Sequence, residues 1–348
     1  MAFEIDEFLA WKTSRCNPSL PASLVMDGGM EPEAWRIALQ RELRRILGGF
    51  NEKSVPLAIS EIREDKPEGV TRRFFSYQSQ EGLTIPAYYL VPNQPLPGKP
   101  AIVAITGHGF GAADIVGIDM NGKDYPNVQS SGYQKQFALT LAQMGFYVIA
   151  PEMVGYGELR LAEDKQKGSE VFSCYRLGTN LLMCGESIAQ LRVQECFRAL
   201  EVLEVFGDSN KERIGCMGIS GGGTVCALFT ALEDRIRACV ISGYANEFKT
   251  AVMAVPGHCV DNFFPGILPF AELPDLLSLI APRPMLWESA KEDPIFPIDG
   301  ALRAARDVEK YYRYLGAGEH FRQDVFTGEH EISGKQSYGF LRHYLSEV

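Results

Sequence analysis

From residue 100 onward, short runs rich in apolar residues alternate with longer stretches of helical periodicity. No other feature of the chain limits its possible folds as much. The short runs lie at 100–106, 146–150, 213–219, 236–241, 284–287 and 320–326. Most are apolar throughout, as strands buried on both faces should be. Between them, helical spacing covers about 133–143, 185–206, a segment starting just after Ser220, 298–315 and the C-terminal residues. Strands that alternate with helices predict a mainly parallel sheet with helices on both faces. Upstream, 71–79 and 84–91 flank Gln80-Glu81-Gly82 and read as a hairpin that adds an antiparallel edge, for about eight strands in all. Residues 30–47 form an amphipathic pattern through Trp35, Ala38, Leu39, Leu43, Ile46 and Leu47, stopped by Gly48-Gly49. The expected organisation is an N-terminal helical extension over 1–70 and a main α/β domain over 71–348. The main domain carries irregular insertions at about 152–184 and 244–270.

Composition narrows the function. With 46% hydrophobic and 22% charged residues among 348, the chain can build a large core and is not a disordered sequence. Its net charge of −10 disfavours a nucleic-acid partner, because phosphate backbones would be repelled. No polybasic stretch and no apolar run near the ~20 residues of a membrane span argue against a membrane partner. The acidic start Met1-Ala2-Phe3-Glu4-Ile5-Asp6-Glu7 lacks the pattern of a secretory leader, so the cytoplasm is the expected location. Eight cysteines without a Cys-x-x-Cys pair fit buried thiols better than disulfides. Metal and dinucleotide motifs are missing, so no metal and no cofactor is expected.

The chemistry concentrates on one pattern. Gly218-Ile219-Ser220-Gly221-Gly222 follows an apolar strand and precedes a helix. That setting lifts a serine oxygen off the top of a sheet, near a helix N-terminus. A serine hydroxyl needs a base. Of the five histidines, His330 lies just past the last strand, while His320 sits at that strand's start and His343 in the terminal helix. The imidazole in turn needs a carboxylate. The loop after 284–287 offers Glu288, Glu292 and Asp293. Asp293 is favoured, because a short side chain before a proline is easier to preorganise. Ser220, Asp293 and His330 all follow the carboxyl ends of strands, the edge where open α/β sheets bind ligands. Acyl transfer also needs two N–H donors for the developing oxyanion. Gly221 would supply one, and Phe110 or Gly109, in the loop Gly107-His108-Gly109-Phe110-Gly111, the other. His108 is expected to brace that loop. His108, Tyr244, His258, Phe263 and Trp287 are the expected pocket residues, and the bulk of Phe110, Phe263 and Trp287 would favour short acyl chains.

These motifs resemble the α/β-hydrolase superfamily, and within it the dienelactone-hydrolase-like and acetyl-xylan-esterase-like bacterial enzymes. Further residues sharpen the likeness: Ile295-Phe296-Pro297 after Asp293, His258 followed by Phe264-Pro265-Gly266, and the stretch 279–284. The serine motif at 218–222, which stands where that superfamily has its nucleophile elbow, departs from the Gly-Gly-Ser-Gln-Gly form of acetyl xylan esterases. The resemblance spans about residues 30–345. It implies a serine esterase that cleaves small-molecule carboxylic esters, acetylated carbohydrates among them, through an acyl-enzyme. The same triad would also serve amide or carbon–carbon bond cleavage, and a non-catalytic binding protein is the remaining reading. The sequence leaves open a homo-oligomer.

Overall fold

The computed structural model describes residues 5–50, 55–169 and 171–346. Of the acidic start at residues 1–7, residues 1–4 therefore lie outside the described residues. Among the described residues nine strands form one sheet: β1 (Ser60–Asp65), β2 (Val70–Gln80), β3 (Leu83–Pro92), β4 (Ala101–Ile105), β5 (Tyr147–Pro151), β6 (Ile214–Ile219), β7 (Ile236–Ser242), β8 (Met285–Ala290) and β9 (Phe321–Phe326). Their order is β1-β2-β3-β5-β4-β6-β7-β8-β9. The first three run antiparallel to their neighbours, and the six from β5 to β9 are mutually parallel.

The sheet has one strand more than the sequence count of eight. The additional strand, β1, falls inside the stretch expected to be helical. Its sequence, SEIRED, has no apolar side. It is an edge strand held by backbone pairing and by charges on its neighbour: Arg72 binds Asp65 at 2.6 Å and Arg73 binds Glu64 at 2.7 Å. Charged edges of this kind also discourage pairing with other chains.

Side-chain alternation along the parallel strands builds a core on each face. Ala101, Val103 and Ile105 of β4 enter one core, under the helices Pro32–Leu47, Ile188–Phe206, Gly221–Leu232 and Ile298–Tyr314. Ile102 and Ala104 enter the other, under Phe137–Gln143 and Ser337–Ser346. The helix Pro32–Leu47 is part of the first core: Trp35 packs on Tyr311 at 5.2 Å, and Arg36 pairs with Asp234 at 2.9 Å.

One topological fact positions the site. After β4 the chain moves to one side to form β5, then crosses back and lays β6 on the other side of β4. A crevice opens at the carboxyl ends of strands where the winding reverses in this way. The loop after β4 and the turn after β6 both empty into it, with Ile105 in register with Gly218.

Candidate active site

Ser220 occupies the turn between β6 and the helix Gly221–Leu232, with φ 57° and ψ −124°. A non-glycine residue holds such angles only where its surroundings overdetermine them. Here the Ser220 N–H donates to the Ser242 carbonyl at 3.0 Å, and its own carbonyl accepts the Thr224 N–H at 2.9 Å. Close approach does the rest. A methyl group at Gly222 would strike the Ile105 carbonyl, and one at Gly218 would strike the Gly222 carbonyl. The two glycines thus let helix, strand and neighbouring strand meet around the serine.

His330 comes from the loop after β9. Its Nδ1 lies 2.7 Å from Asp293 Oδ2, while Asp293 Oδ1 accepts the N–H groups of Ile295 and Phe296 at 2.8 and 3.0 Å. The carboxylate is thus fixed by its own backbone turn before it meets the imidazole. The ring is stacked between Tyr133 at 5.6 Å and Phe296 at 5.9 Å. With Nδ1–H donated to Asp293, Nε2 is left as the acceptor. It is buried and without a hydrogen-bond partner among the described residues, so no Ser220–His330 hydrogen bond is formed. Both side chains nevertheless line one cavity of about 560 Å³, a volume suited to a small-molecule ligand.

The two other candidate carboxylates hold the loop that carries the histidine. Glu288 lies inside β8, not after it, and accepts the Ser333 and Gly334 N–H groups at 3.1 and 2.9 Å. Glu292 accepts the Gly328 N–H at 2.7 Å.

The loop 107–111 is braced from three directions. Gln134 accepts the Gly107 N–H at 2.7 Å, Tyr133 donates its hydroxyl to the His108 carbonyl at 2.5 Å, and Glu152 accepts the Ala112 N–H at 3.2 Å. Gly107 must stay bare, because a Cβ there would lie 2.7 Å from the Ile219 carbonyl oxygen and strike the Tyr133 hydroxyl. His108 lines the cavity, whereas Gly109 and Phe110 are not among its lining residues. Gly221 opens the helix after Ser220, so its N–H is among those without an intrahelical partner.

Of the five expected pocket residues, His108 and His258 line the cavity and three do not. Trp287 is fully buried in the core, edge-on to Phe321 at 4.9 Å. Because β8 runs on to Ala290, Trp287 is a mid-strand residue and not a strand-end one. Tyr244 is buried behind the wall, against Phe296 at 5.7 Å. Phe263 points outward and is 44% exposed. Burial lowers the pKa of the His258 imidazole, which favours its neutral form.

Sequence reasoning missed the polar cluster behind the cavity. Arg192, in the helix Ile188–Phe206, is fully buried and paired with the buried Asp261. Burial alone would raise the Asp261 carboxyl, but Arg192, His108 and the Tyr156 hydroxyl together outweigh it and hold the group below the usual carboxylate range. Tyr156 donates its hydroxyl to Asp261 at 2.9 Å and accepts from Arg192 at 2.9 Å, with His108 Nε2 at 3.1 Å. Asn262 donates to Asp261 at 3.0 Å and accepts from Thr224 at 3.0 Å, one turn past Ser220. The stretch 152–184, expected to be irregular, contains the helix Cys174–Met183, which contributes Cys174 and Tyr175 to the cavity wall.

No family model matches the chain. Among curated proteins, "Putative hydrolase YtaP" of Bacillus subtilis (strain 168) is 24% identical over 295 residues, 82% of this chain and 91% of that protein. Among solved structures, a putative acetyl xylan esterase from Bacteroides fragilis NCTC 9343 superposes with TM-score 0.75 at 15% identity, over 99% of this chain and 90% of its own. The glucuronoyl esterase from Solibacter usitatus gives 0.64 at 15% identity over 90% and 94%. Acetyl xylan esterase 1 from Thermoanaerobacterium sp. JW/SL YS485 gives 0.60 at 16% identity over 91% and 98%. With its sheet order and its strand–serine–helix turn, the chain has the α/β-hydrolase fold.

Proposed function

We propose that the protein is a serine hydrolase that cleaves carboxylic esters through an acyl-enzyme. The observation that carries this reading is the strained Ser220 turn opening onto the same cavity as His330, whose far nitrogen is tied to Asp293. In this reading His330 Nε2 takes the Ser220 proton as the serine oxygen attacks the ester carbonyl. Asp293 steadies the imidazolium that results. The Gly221 N–H, with Phe110 or Gly109 as second donor, meets the oxyanion. His330 then protonates the leaving alcohol, and water repeats the sequence on the acyl-serine. A base–nucleophile hydrogen bond that is unformed without substrate is common in such sites and tightens only when substrate binds.

The solved structures named above are acetyl xylan and glucuronoyl esterases by name, which makes short acyl esters of sugars the first substrates to try. Elbow glycines and triad alone would equally serve amide or carbon–carbon cleavage. The ester assignment rests on those relatives. The dienelactone-hydrolase-like character belongs to the same proposal, as does a cytoplasmic, thiol-preserving setting, favoured by eight cysteines.

A fluorophosphonate probe tests the reading. The folded protein should be labelled at Ser220, and Ser220→Ala should not be. Nitrophenyl esters of increasing chain length, run beside acetylated sugars and aryl amides, then rank the substrates. Failure of the folded protein to label, together with no turnover of any ester, rejects the proposal.

A further inference from the structure

Two cysteines share the cavity wall. Cys174 is the first residue of the helix Cys174–Met183, and Cys259 directly precedes the turn Val260–Asn262. The two come from the segments that follow β5 and β7. Their sulfurs lie within 4.8 Å of each other, of a His108 ring nitrogen and of an Asp261 carboxylate oxygen. Gly178, one helical turn past Cys174, is pressed against Val260, so the two segments already pack together.

Four such side chains would suit a divalent cation by type, but a cation already serves this cluster. Arg192 Nη2 donates to Cys174 Sγ at 3.1 Å, and Nη1 binds Asp261. A metal ion would have to sit against a buried guanidinium that cannot leave its charge behind.

The same surroundings prepare a reactive thiol. We propose that Cys174 and Cys259 form a redox-active pair in which peroxide oxidises Cys174 and Cys259 closes a disulfide across the cavity wall. The neighbouring Cys259 thiol stabilises the Cys174 thiolate, and Arg192 and His108 add to it, so the Cys174 pKa falls well below that of an ordinary thiol despite burial. Cys259 moves the other way and stays a thiol, the division of labour expected of an attacking and a resolving cysteine.

The electrons and atoms balance. The Cys174 thiolate attacks one oxygen of hydrogen peroxide, the O–O bond breaks, and hydroxide leaves, taking up a proton to become water. The product is Cys174 sulfenic acid. Cys259 sulfur then attacks the Cys174 sulfur, the S–O bond breaks, and a second water departs with the Cys259 proton. Two thiols are oxidised and one peroxide is reduced. The disulfide would join the segments that follow β5 and β7. Any effect on turnover rests on the hydrolase reading above, but the cross-link itself does not.

The test is peptide mapping after graded hydrogen peroxide, with thiol counting on the denatured protein. Wild type should lose two of its eight thiols first. A Cys174–Cys259 linked peptide pair should appear, and dithiothreitol should restore both thiols. Ser220→Ala should cross-link equally, which separates this result from the fate of the hydrolase assignment. Cys259→Ser should give no cross-link and leave Cys174 as a sulfenic acid trapped by dimedone. Cys174→Ser should lose the early phase. Oxidation of the exposed Cys184 ahead of this pair, or of Cys174 without linkage to Cys259, would overturn the proposal. So would one tightly held zinc per purified chain that shields both thiols.

Discussion

Three carboxylates within six residues divide the work at one corner of the cavity. Glu288 and Glu292 bind backbone N–H groups of the segment 328–334, and Asp293 alone reaches the ring of His330. The sequence favours Asp293 on the stiffness of a short side chain before proline. It gives no sign of what the two glutamates hold, because their partners are main-chain groups that carry no sequence signature. The roles predict different kinetics. Asp293→Asn should leave the fold intact and lower kcat by about 10⁴, the scale seen when a triad carboxylate loses its charge and the imidazole its tautomer. Glu292→Gln keeps an acceptor for the Gly328 N–H and should change kcat less than tenfold. Steady-state hydrolysis of an aryl acetate by both variants checks the contrast, and equal losses would undo the assignment of Asp293.

Elements were legible where burial follows periodicity and obscure where it does not. The apolar runs of β4, β6 and β7 mark strands and cores together, since every residue on them is inside except Arg237. β8 misleads because its last three residues, Glu288-Ser289-Ala290, read as loop, which moves the apparent strand end to Trp287. Trp287→Ala should therefore behave as a core truncation. A loss of about 3–5 kcal/mol in urea unfolding is expected, with the KM of the folded fraction little changed; a large KM shift at unaltered stability would return Trp287 to the pocket. The helix Ile188–Phe206 hides more. Gln190, Arg192, Gln194, Glu195 and Arg198 look like a solvent face, yet all are buried: Arg192 lies beneath the segments that follow β5 and β7, and Arg198 donates to the Val55 and Gln78 carbonyls. Only those overlying segments, distant in sequence, make Arg192 and Asp261 partners. Arg192→Met strands a buried carboxylate and should cost about 3–5 kcal/mol. Combining it with Asp261→Leu should cost less than the sum of the two single changes, as contacting pairs do. Additive losses in the same unfolding assay would mean that the pair is not coupled.

At the scale of the whole molecule, the reversal of winding between β4 and β6 places chemistry and stability on one edge of the sheet. The strand–helix alternation makes that edge readable, but not the brace behind it. Glu152, at the end of β5, binds the Ala112 and Met153 N–H groups and so pins the segment that follows the 107–111 loop. Burial pushes its carboxyl up to about 7, against the opposing pull of those N–H donors. The sign of the linkage follows. Between the unfolded value of 4.5 and about 7, the folded chain holds a proton that the unfolded chain has released. Stability therefore falls as pH rises through that window and is flat above it. A gap of this size corresponds to about 3 kcal/mol. Buried Asp275, raised to about 6, and Asp114, Glu195, Glu272 and Glu288, all raised as well, slope the same way, so wild type alone cannot isolate Glu152. Glu152→Gln can, because these other groups cancel in the comparison. The variant should gain on wild type by a few kcal/mol between pH 4.5 and 7.5 in urea titrations. Parallel stability curves would mean that Glu152 is ionised in the folded protein and that the loop after β4 is held by charge.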